Sequence, residues 1–251
     1  MVVAQPLIRL SRVTLFYGGD DVVRNIDLDV RAGETKVILG PSGVGKSTIL
    51  KAILGLLKPK TGEIYIRGEE ISNLPEPKLV KIRLRMAMVF QHGALFDSMT
   101  VGQNVSYRLR EHDLLEASAI PNRVREVLKF VALEGALKLR PAQLSGGMKK
   151  RVAIARALAP NPEIFLFDEP TVGLDPVNSY NIEQLILKLK TRNVTIVIVT
   201  HDVESAYRLA DSIVMLHEGK FIFEGTPDEL KENLDPRVRA FLDPASTANG
   251  E

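Results

Sequence analysis

The sequence of 251 residues contains no cysteine, which excludes disulfides and thiolate metal ligands and fits a reducing compartment. It also has no apolar run long enough to cross a bilayer, since the longest strand-like run covers only residues 194–199. A net charge of +2 is too small to indicate nucleic acid or an anionic membrane surface as a partner. The N-terminus lacks a basic region followed by a long apolar one, so we expect no secretory signal and a cytosolic or cytosol-facing protein.

What is present is ordinary for a globular protein, with 25% charged and 45% hydrophobic residues. Alternation of apolar and polar residues predicts half-buried antiparallel strands at residues 8–16, 26–30 and 63–67. Continuous apolar runs predict strands covered on both faces at residues 37–39, 86–90, 164–167 and 194–199. Helical spacing lies between these runs, so the fold class is α/β with a three-layer core and a mainly parallel sheet.

The strand pattern disappears between Phe96 and Pro160, where apolar residues recur at helical spacing. We therefore expect one domain over residues 7–242, with a helical subdomain at about residues 97–160 inserted into the α/β core. After Gly225 the chain is polar, with one short helix-like piece at residues 237–242. Residues 243–251 are predicted to be a disordered tail.

A glycine-rich stretch between an apolar run and a helical pattern matches G-x-x-x-x-G-K-[ST]. Its glycines allow a tight turn that aims backbone N–H groups into one concavity, and the helix start adds the positive end of its dipole. Lys46 would reach the β- and γ-phosphates of a nucleotide, and the Ser47 hydroxyl would bind Mg²⁺. The predicted nucleotide-binding residues are Gly40, Pro41, Ser42, Gly43, Val44, Gly45, Lys46, Ser47 and Thr48.

A second candidate group stands at the end of the apolar run 164–167, where two acids follow each other. Asp168 would hold Mg²⁺ next to the phosphate loop, directly or through water. Glu169 would orient and deprotonate the attacking water. A solvated strand end is the weaker interpretation in a chain that already has a phosphate loop.

A third group, Ser145-Gly146-Gly147, precedes a long helical pattern. A serine cap with two glycines exposes backbone N–H groups and forms a possible second anion site, although alone it is more often an ordinary loop and cap. Two separated phosphate-binding helix starts in one chain suggest a nucleotide held between two copies.

Taken in order, these motifs resemble those of the ATP-binding-cassette (ABC) ATPases over about residues 7–225. The resemblance implies a P-loop fold with an antiparallel β-subdomain and a head-to-tail dimer that holds two ATP·Mg²⁺ between opposing copies. It also implies roles for four further residues. Tyr17 would stack on adenine, Gln91 would sense Mg²⁺ and the attacking water, Asp175 would belong to the D-loop, and His201 would contact the γ-phosphate. Without the resemblance, Tyr17 is equally well explained as an ordinary aromatic at a strand end. Gln91 is then better explained as a surface glutamine, and His201 as a hydrogen-bonded structural residue.

A narrower resemblance comes from Met148 after the Ser-Gly-Gly motif and from residues 93–101 and 235–242. These are similar to the ATPase subunits of MCE-type (Mla-like) phospholipid transporters. That family implies a permease and an MCE-type lipid-binding protein as partners, no nucleic acid, and a peripheral place on the cytoplasmic side of the inner membrane. Two alternatives stay open: an importer ATPase for another cargo, such as an amino acid or metal chelate, and a non-transport ABC ATPase.

Overall fold

The computed structural model of the chain describes residues 5–243, so the predicted tail lies outside the described residues except for Asp243. The elements in chain order are β1 (Ile8–Tyr17), β2 (Asp20–Val30), β3 (Thr35–Leu39), α1 (Lys46–Ile53), β4 (Thr61–Ile66), β5 (Glu69–Glu70), α2 (Glu76–Arg83), β6 (Met86–Val89), α3 (Val101–Glu111), α4 (Ile120–Phe130), α5 (Gly146–Leu158), β7 (Ile164–Asp168), α6 (Pro176–Lys190), β8 (Thr195–Thr200), α7 (Val203–Leu209), β9 (Ser212–His217), β10 (Lys220–Gly225), α8 (Pro227–Glu232) and α9 (Pro236–Leu242). Short 3₁₀ turns at Glu134–Ala136 and Pro141–Gln143 lead into α5.

The chain divides into two compact units. Unit 1 is formed by the described parts of Met1–Ile82 and Asn193–Glu251, and unit 2 by Arg83–Arg192. Unit 2 therefore interrupts unit 1 in the sequence. It contains the whole segment 97–160 that the sequence predicts to be helical, together with β6 and β7.

Unit 1 contains an antiparallel sheet in the order β2-β1-β4-β5. It also contains β3, which pairs in parallel with β8 on one side and β9 on the other, while β10 pairs antiparallel with β9. Every residue of β3 and of β8 is buried, as the apolar runs at residues 37–39 and 194–199 predict for most of their length. The burial of Lys36 in β3 was not predicted, and its ammonium donates to the Glu224 carboxylate at 2.7 Å. In β1 buried positions such as Ile8 and Leu10 alternate with exposed ones, which confirms the predicted half-buried strand.

Unit 2 pairs β6 with β7 in parallel and packs α3, α4 and α5 on one another. The helices contribute fully buried apolar side chains, among them Val105, Leu128 and Val152. Helix α3 begins at a reciprocal capping box in which Thr100 and Gln103 bond each other's main chain. Within the described residues, unit 2 has no strand between β6 and β7, as the loss of the strand pattern predicts.

Three elements at the C-terminal end were not predicted. Strands β9 and β10 form a hairpin, and α8 precedes the predicted α9. Helix α8 is almost wholly polar and buries only Leu230, so it has no apolar stripe to reveal it. Its start is marked instead by a capping box between Thr226 and Glu229. Helix α9 buries Val238 within the chain. Across residues 5–243, no helix combines the length and the apolar character needed to cross a membrane.

Candidate nucleotide-binding site

The turn between β3 and α1 is built around glycine. Gly45, the residue before α1, has φ of 109°, in the left-handed region that side chains disfavour. A Cβ there would lie 2.9 Å from Val23 Cγ2 and 3.1 Å from the Val22 carbonyl oxygen, so there is also no room for one. No side chain caps α1 at this end, and its first turn contains no acid. The positive end of the helix dipole is therefore available to an anion.

Lys46 places a buried positive charge in the same turn. The residue is only 5% exposed, and its Nζ donates hydrogen bonds of 2.9 Å to the carbonyl oxygens of both Gly40 and Pro41. Ser42 and Gly43, in contrast, are exposed at the tip of the turn. The turn thus combines a rigid main chain, a fixed cation and an accessible edge, which suits a polyphosphate.

His201 lies at the same end of the parallel strands. Leu39, the last residue of β3, is in register with Thr200, the last residue of β8. Gly40 and His201 therefore leave neighbouring strands at one edge, where open α/β sheets bind ligands. The main chain that follows His201 is held at the start of α7, because the Asp202 carboxylate accepts hydrogen bonds from Glu204 N at 3.0 Å and Ser205 N at 3.3 Å.

Tyr17, the last residue of β1, is 54% exposed. The Lys51 ammonium, on α1, lies 5.0 Å from the ring centroid. This cation–π contact places the tyrosine beside the helix that starts at the phosphate loop. An exposed ring at this point suits a planar base, and its role in adenine binding stays a prediction.

In unit 2 the acidic pair and Gln91 leave neighbouring parallel strands. Val89 of β6 is in register with Phe167 of β7, so Gln91 and Glu169 each stand two residues beyond a paired position. Asp168 and Glu169 are both 8% exposed. The register brings the amide of Gln91 and the two carboxylates to one edge of this strand pair.

The main chain of Glu169 has an unusual conformation and a charged partner. Its φ of 47° is left-handed, which is uncommon for a non-glycine residue. Lys150 on α5 is 6% exposed and donates from Nζ to the Glu169 carbonyl oxygen at 3.1 Å. Burial lowers the pKa of Lys150 to about 8, while the charges of Asp168 and Glu169 oppose that shift.

The Ser145 turn caps α5. Ser145 Oγ accepts a hydrogen bond from Met148 N at 3.3 Å. A Cβ on Gly146 would make only an ordinary contact, 3.7 Å from Leu174 Cδ2, whereas one on Gly147 would lie 2.7 Å from Asn178 Cγ. Gly147 is therefore required by packing within the chain, and Gly146 is not.

Asp175 forms the matching cap of α6, and it contacts the same asparagine. Its carboxylate accepts a hydrogen bond from Asn178 N at 3.0 Å and another from the Asn178 side chain. These bonds hold the pKa of Asp175 below its usual value. Through Asn178, the Asp175 turn and the Ser145 turn form one cluster.

The predicted metal ligands offer only oxygen atoms: the Ser47 hydroxyl, the Gln91 amide and the Asp168 carboxylate. Hard oxygen donors of this kind suit Mg²⁺, which binds through one or two carboxylates together with substrate phosphates. The chemistry of these donors therefore fits Mg²⁺, and their role as its ligands stays a prediction. Among residues 5–243 no cluster of three or more His, Asp or Glu side chains forms a separate metal centre.

The structure also shows residues that sequence reasoning missed. Besides Lys150 and Asn178, they include Arg156, whose guanidinium donates to the carbonyl oxygens of Gly93 (2.7 Å) and Ala94 (2.6 Å) in the loop after Gln91. Asn104 holds the next part of that loop with four hydrogen bonds. Only Asn178 had a local signal, since it stands three residues after a helix-capping aspartate.

A model of the ABC transporter family matches residues 23–172, more than half of the chain. The chain belongs to this family. As an ABC cassette it is an ATPase, and the likeness also accounts for the order of its motifs.

Curated relatives cover nearly the whole cassette. The intermembrane phospholipid transport system ATP-binding protein MlaF of Escherichia coli K12 is 43% identical over 94% of this chain and 88% of its own length. MlaF of Haemophilus influenzae is 41% identical over 95% of this chain and 90% of its own. A probable ribonucleotide transport ATP-binding protein, mkl of Mycobacterium leprae, is 41% identical over 94% of this chain and 68% of its own.

Solved structures share the fold. The cassette MJ0796, in a dimeric post-hydrolysis state bound to ADP and Pi, has a TM-score of 0.81 and 37% identity, covering 88% of this chain and 98% of that one. CbiO1 of Clostridium perfringens, part of the transporter complex CbiONQ, has a TM-score of 0.83 and 30% identity, covering 97% of each. The α/β P-loop ATPase fold is thereby confirmed. ATP-binding subunits of this family bind ATP, act as dimers with transporter partners and are peripheral to the membrane.

Proposed function

We propose that this cassette, over residues 7–242, energises phospholipid transport from the cytoplasmic side of the inner membrane. Its partners would be a second copy of itself, a permease and an MCE-type lipid-binding protein, with no nucleic acid. The observation that carries the proposal is the likeness to two MlaF proteins, 43% and 41% identical over 94% and 95% of this chain. The resemblance of Met148 and of the segments 93–101 and 235–242 to this group agrees with it.

Two copies would enclose each ATP. The phosphate loop of one copy would hold the phosphates through its main chain and Lys46, and Tyr17 would stack on the base. The Ser145-Gly146-Gly147 turn of the other copy would close on the γ-phosphate. Gly146 supports this arrangement because its space is not needed by the chain's own packing.

Hydrolysis would use the polar groups at the strand ends. Glu169 would accept a proton from the attacking water, and His201 would donate a hydrogen bond to the γ-phosphate as its charge develops. Ser47, Asp168 and Gln91 would hold Mg²⁺, which supplies charge neutralisation between the phosphates. Asp175 would face the partner copy near the same nucleotide.

Transport would follow from the difference between two states of the dimer. ATP favours the closed dimer because only that state contacts the nucleotide from both sides, and hydrolysis removes the preference. The loop after Gln91, held by Arg156 and Asn104, would pass the movement to the permease.

The cargo can be tested by purifying the chain from solubilised membranes and identifying its co-purifying proteins and lipids. We expect a permease, an MCE-type protein and bound phospholipid. Recovery of a solute-binding protein without an MCE partner would contradict the lipid assignment. The relative named for ribonucleotide transport makes a second comparison useful: stimulation of ATPase activity by ribonucleotides but not by phospholipid vesicles would favour that cargo.

The catalytic base can be tested separately with Glu169→Gln. This variant should bind ATP normally, because the phosphate loop lies elsewhere in the chain, while turnover falls about 10²–10⁴-fold as expected for loss of a general base. Near-normal turnover would remove Glu169 from the proposed mechanism.

A further inference from the structure

Lys150 is a buried lysine that no part of the proposed mechanism uses. It stands in the second turn of α5 and is 6% exposed. Long basic side chains are rarely buried to this extent unless they are paired, because desolvation penalises the charge. Lys150 is paired, and its partner is the main chain of Glu169.

The hydrogen bond from Lys150 to the Glu169 carbonyl oxygen is shorter than the one from Val172 N to the same atom. Lys150 Nζ donates to it at 3.1 Å, whereas Val172 N approaches at only 3.4 Å. Bonds from a charged donor are about twice as strong as those between neutral groups. Pro170, the next residue, has no N–H and gives this turn no backbone donor of its own.

This bond acts on a main chain that needs support. Glu169 has φ of 47°, and a non-glycine residue keeps such a conformation only where its surroundings enforce it. Rotation toward an ordinary extended conformation would turn the carbonyl oxygen and redirect the side chain of the same residue. The direction of the Glu169 carboxylate and the position of its carbonyl oxygen are therefore coupled.

We propose that Lys150 is a positioning residue: its ammonium holds the Glu169 carbonyl oxygen and so fixes the left-handed main chain that aims the Glu169 carboxylate at the attacking water. The inference rests on the proposed role of Glu169 as general base. It adds a link between sites, since Lys150 lies on the helix whose first turn is capped by Ser145. The helix that would touch the partner's nucleotide thus also holds the base of its own site.

Three substitutions separate the donor from the charge and the bulk. Lys150→Met removes the donor and keeps an unbranched chain, Lys150→Gln keeps a neutral donor on a shorter chain, and Lys150→Arg keeps a charged donor. Lys188→Met is the matched control, because Lys188 is an exposed lysine on α6 of the same unit. The full-length chain with its membrane partners is assayed for kcat, KM, ATP affinity and thermal midpoint.

We expect Lys150→Met to lower kcat about ten- to a hundred-fold, because a misplacement of about 1 Å can cost about a hundred-fold in rate. ATP affinity should be retained, because the phosphate loop lies elsewhere in the chain, and the thermal midpoint should fall by only a few degrees, the cost of removing one charged donor from a buried carbonyl oxygen. Turnover should recover in the order Met, Gln, Arg, and Lys188→Met should match the wild type.

Two results would overturn the inference. One is turnover of Lys150→Met within about two-fold of the wild type, well short of the loss expected for a misplaced base. The other is a loss of turnover that comes together with a large loss of ATP affinity and a large fall in the thermal midpoint. That result would mean that Lys150 only stabilises the fold. Glu169→Gln is measured in the same assay. If Glu169→Gln keeps its turnover, the proposed role of Glu169 as general base is wrong. If Glu169→Gln loses turnover and Lys150→Met does not, only the inference about Lys150 is wrong.

Discussion

Two buried threonines at the starts of neighbouring strands differ in a single hydrogen bond. Thr195, at the start of β8 and 2% exposed, accepts a hydrogen bond at its Oγ1 from Gly33 N at 2.9 Å. Thr35, at the start of β3, is fully buried, and its Oγ1 makes no hydrogen bond to any group among residues 5–243. Replacing each by valine removes the hydroxyl and keeps the size and β-branched shape. The two substitutions should therefore change stability in opposite directions.

The magnitudes follow from the cost of an unpaired polar group. A buried hydroxyl without a partner costs about 1–3 kcal/mol, so Thr35→Val should raise the free energy of unfolding by about 1–2 kcal/mol. The bond from Thr35 N to the Asp211 carboxylate, at 2.9 Å, belongs to the main chain and survives. Thr195→Val leaves Gly33 N without its acceptor and should lower the free energy of unfolding by about 1–3 kcal/mol.

Thermal and denaturant unfolding of the two variants and the wild type measure this difference. For a chain of this size, a change of 1 kcal/mol shifts the midpoint by about 2–4 °C, so Thr35→Val should melt about 2–8 °C higher and Thr195→Val lower. The denaturant slope should not change. If Thr35→Val is destabilised as much as Thr195→Val, the Thr35 hydroxyl has a partner and the reasoning is wrong.

Three further predictions concern the site and the loop beside it. Lys46→Ala should abolish ATP binding, because it removes the only charge fixed in the phosphate loop. Fluorescent-nucleotide titration measures this, and an unchanged affinity would refute the role of Lys46 in phosphate binding. Gly146→Trp should leave the thermal midpoint and ATP binding intact yet block hydrolysis. Gly147→Ala should instead lower the thermal midpoint through its clash with Asn178. Equal midpoints and equal ATPase rates in the two variants would contradict the shared site. Asn104→Ala removes the amide whose Oδ1 accepts one partly buried hydrogen bond and whose two Nδ2 protons are shared among three carbonyl oxygens. It should cost about 2–4 kcal/mol in chemical denaturation, and a cost under about 1 kcal/mol would show that the loop is held by other contacts.

Sequence reasoning succeeded where the signal is local. The apolar runs at residues 37–39 and 194–199 predict strands buried on both faces, and residues 37–39 of β3 and 195–199 of β8 are all buried. The phosphate loop is recognisable because its glycines, lysine and serine occur at fixed spacing between a strand and a helix. Its conformation agrees, with Gly45 in the left-handed region at the start of α1.

The rest depends on contacts between residues distant in sequence. Nothing near Lys150 indicates that it bonds Glu169, since the two are 19 positions apart and lysine on a helix is normally solvated. The need for Gly147 to be glycine comes from Asn178 on another helix. Helix α8 was missed for a different reason: its polar composition hides it, and only the Thr226–Glu229 cap marks its start.

The central claim is that opposing copies of the chain clasp the nucleotide between them. The most direct test is the mass in solution of the Glu169→Gln variant, alone and with its membrane partners, with and without ATP and Mg²⁺. The account predicts a dimer that requires ATP and is lost when Gly146→Trp is added. A variant that binds ATP and Mg²⁺ to saturation but stays monomeric under both conditions would contradict it.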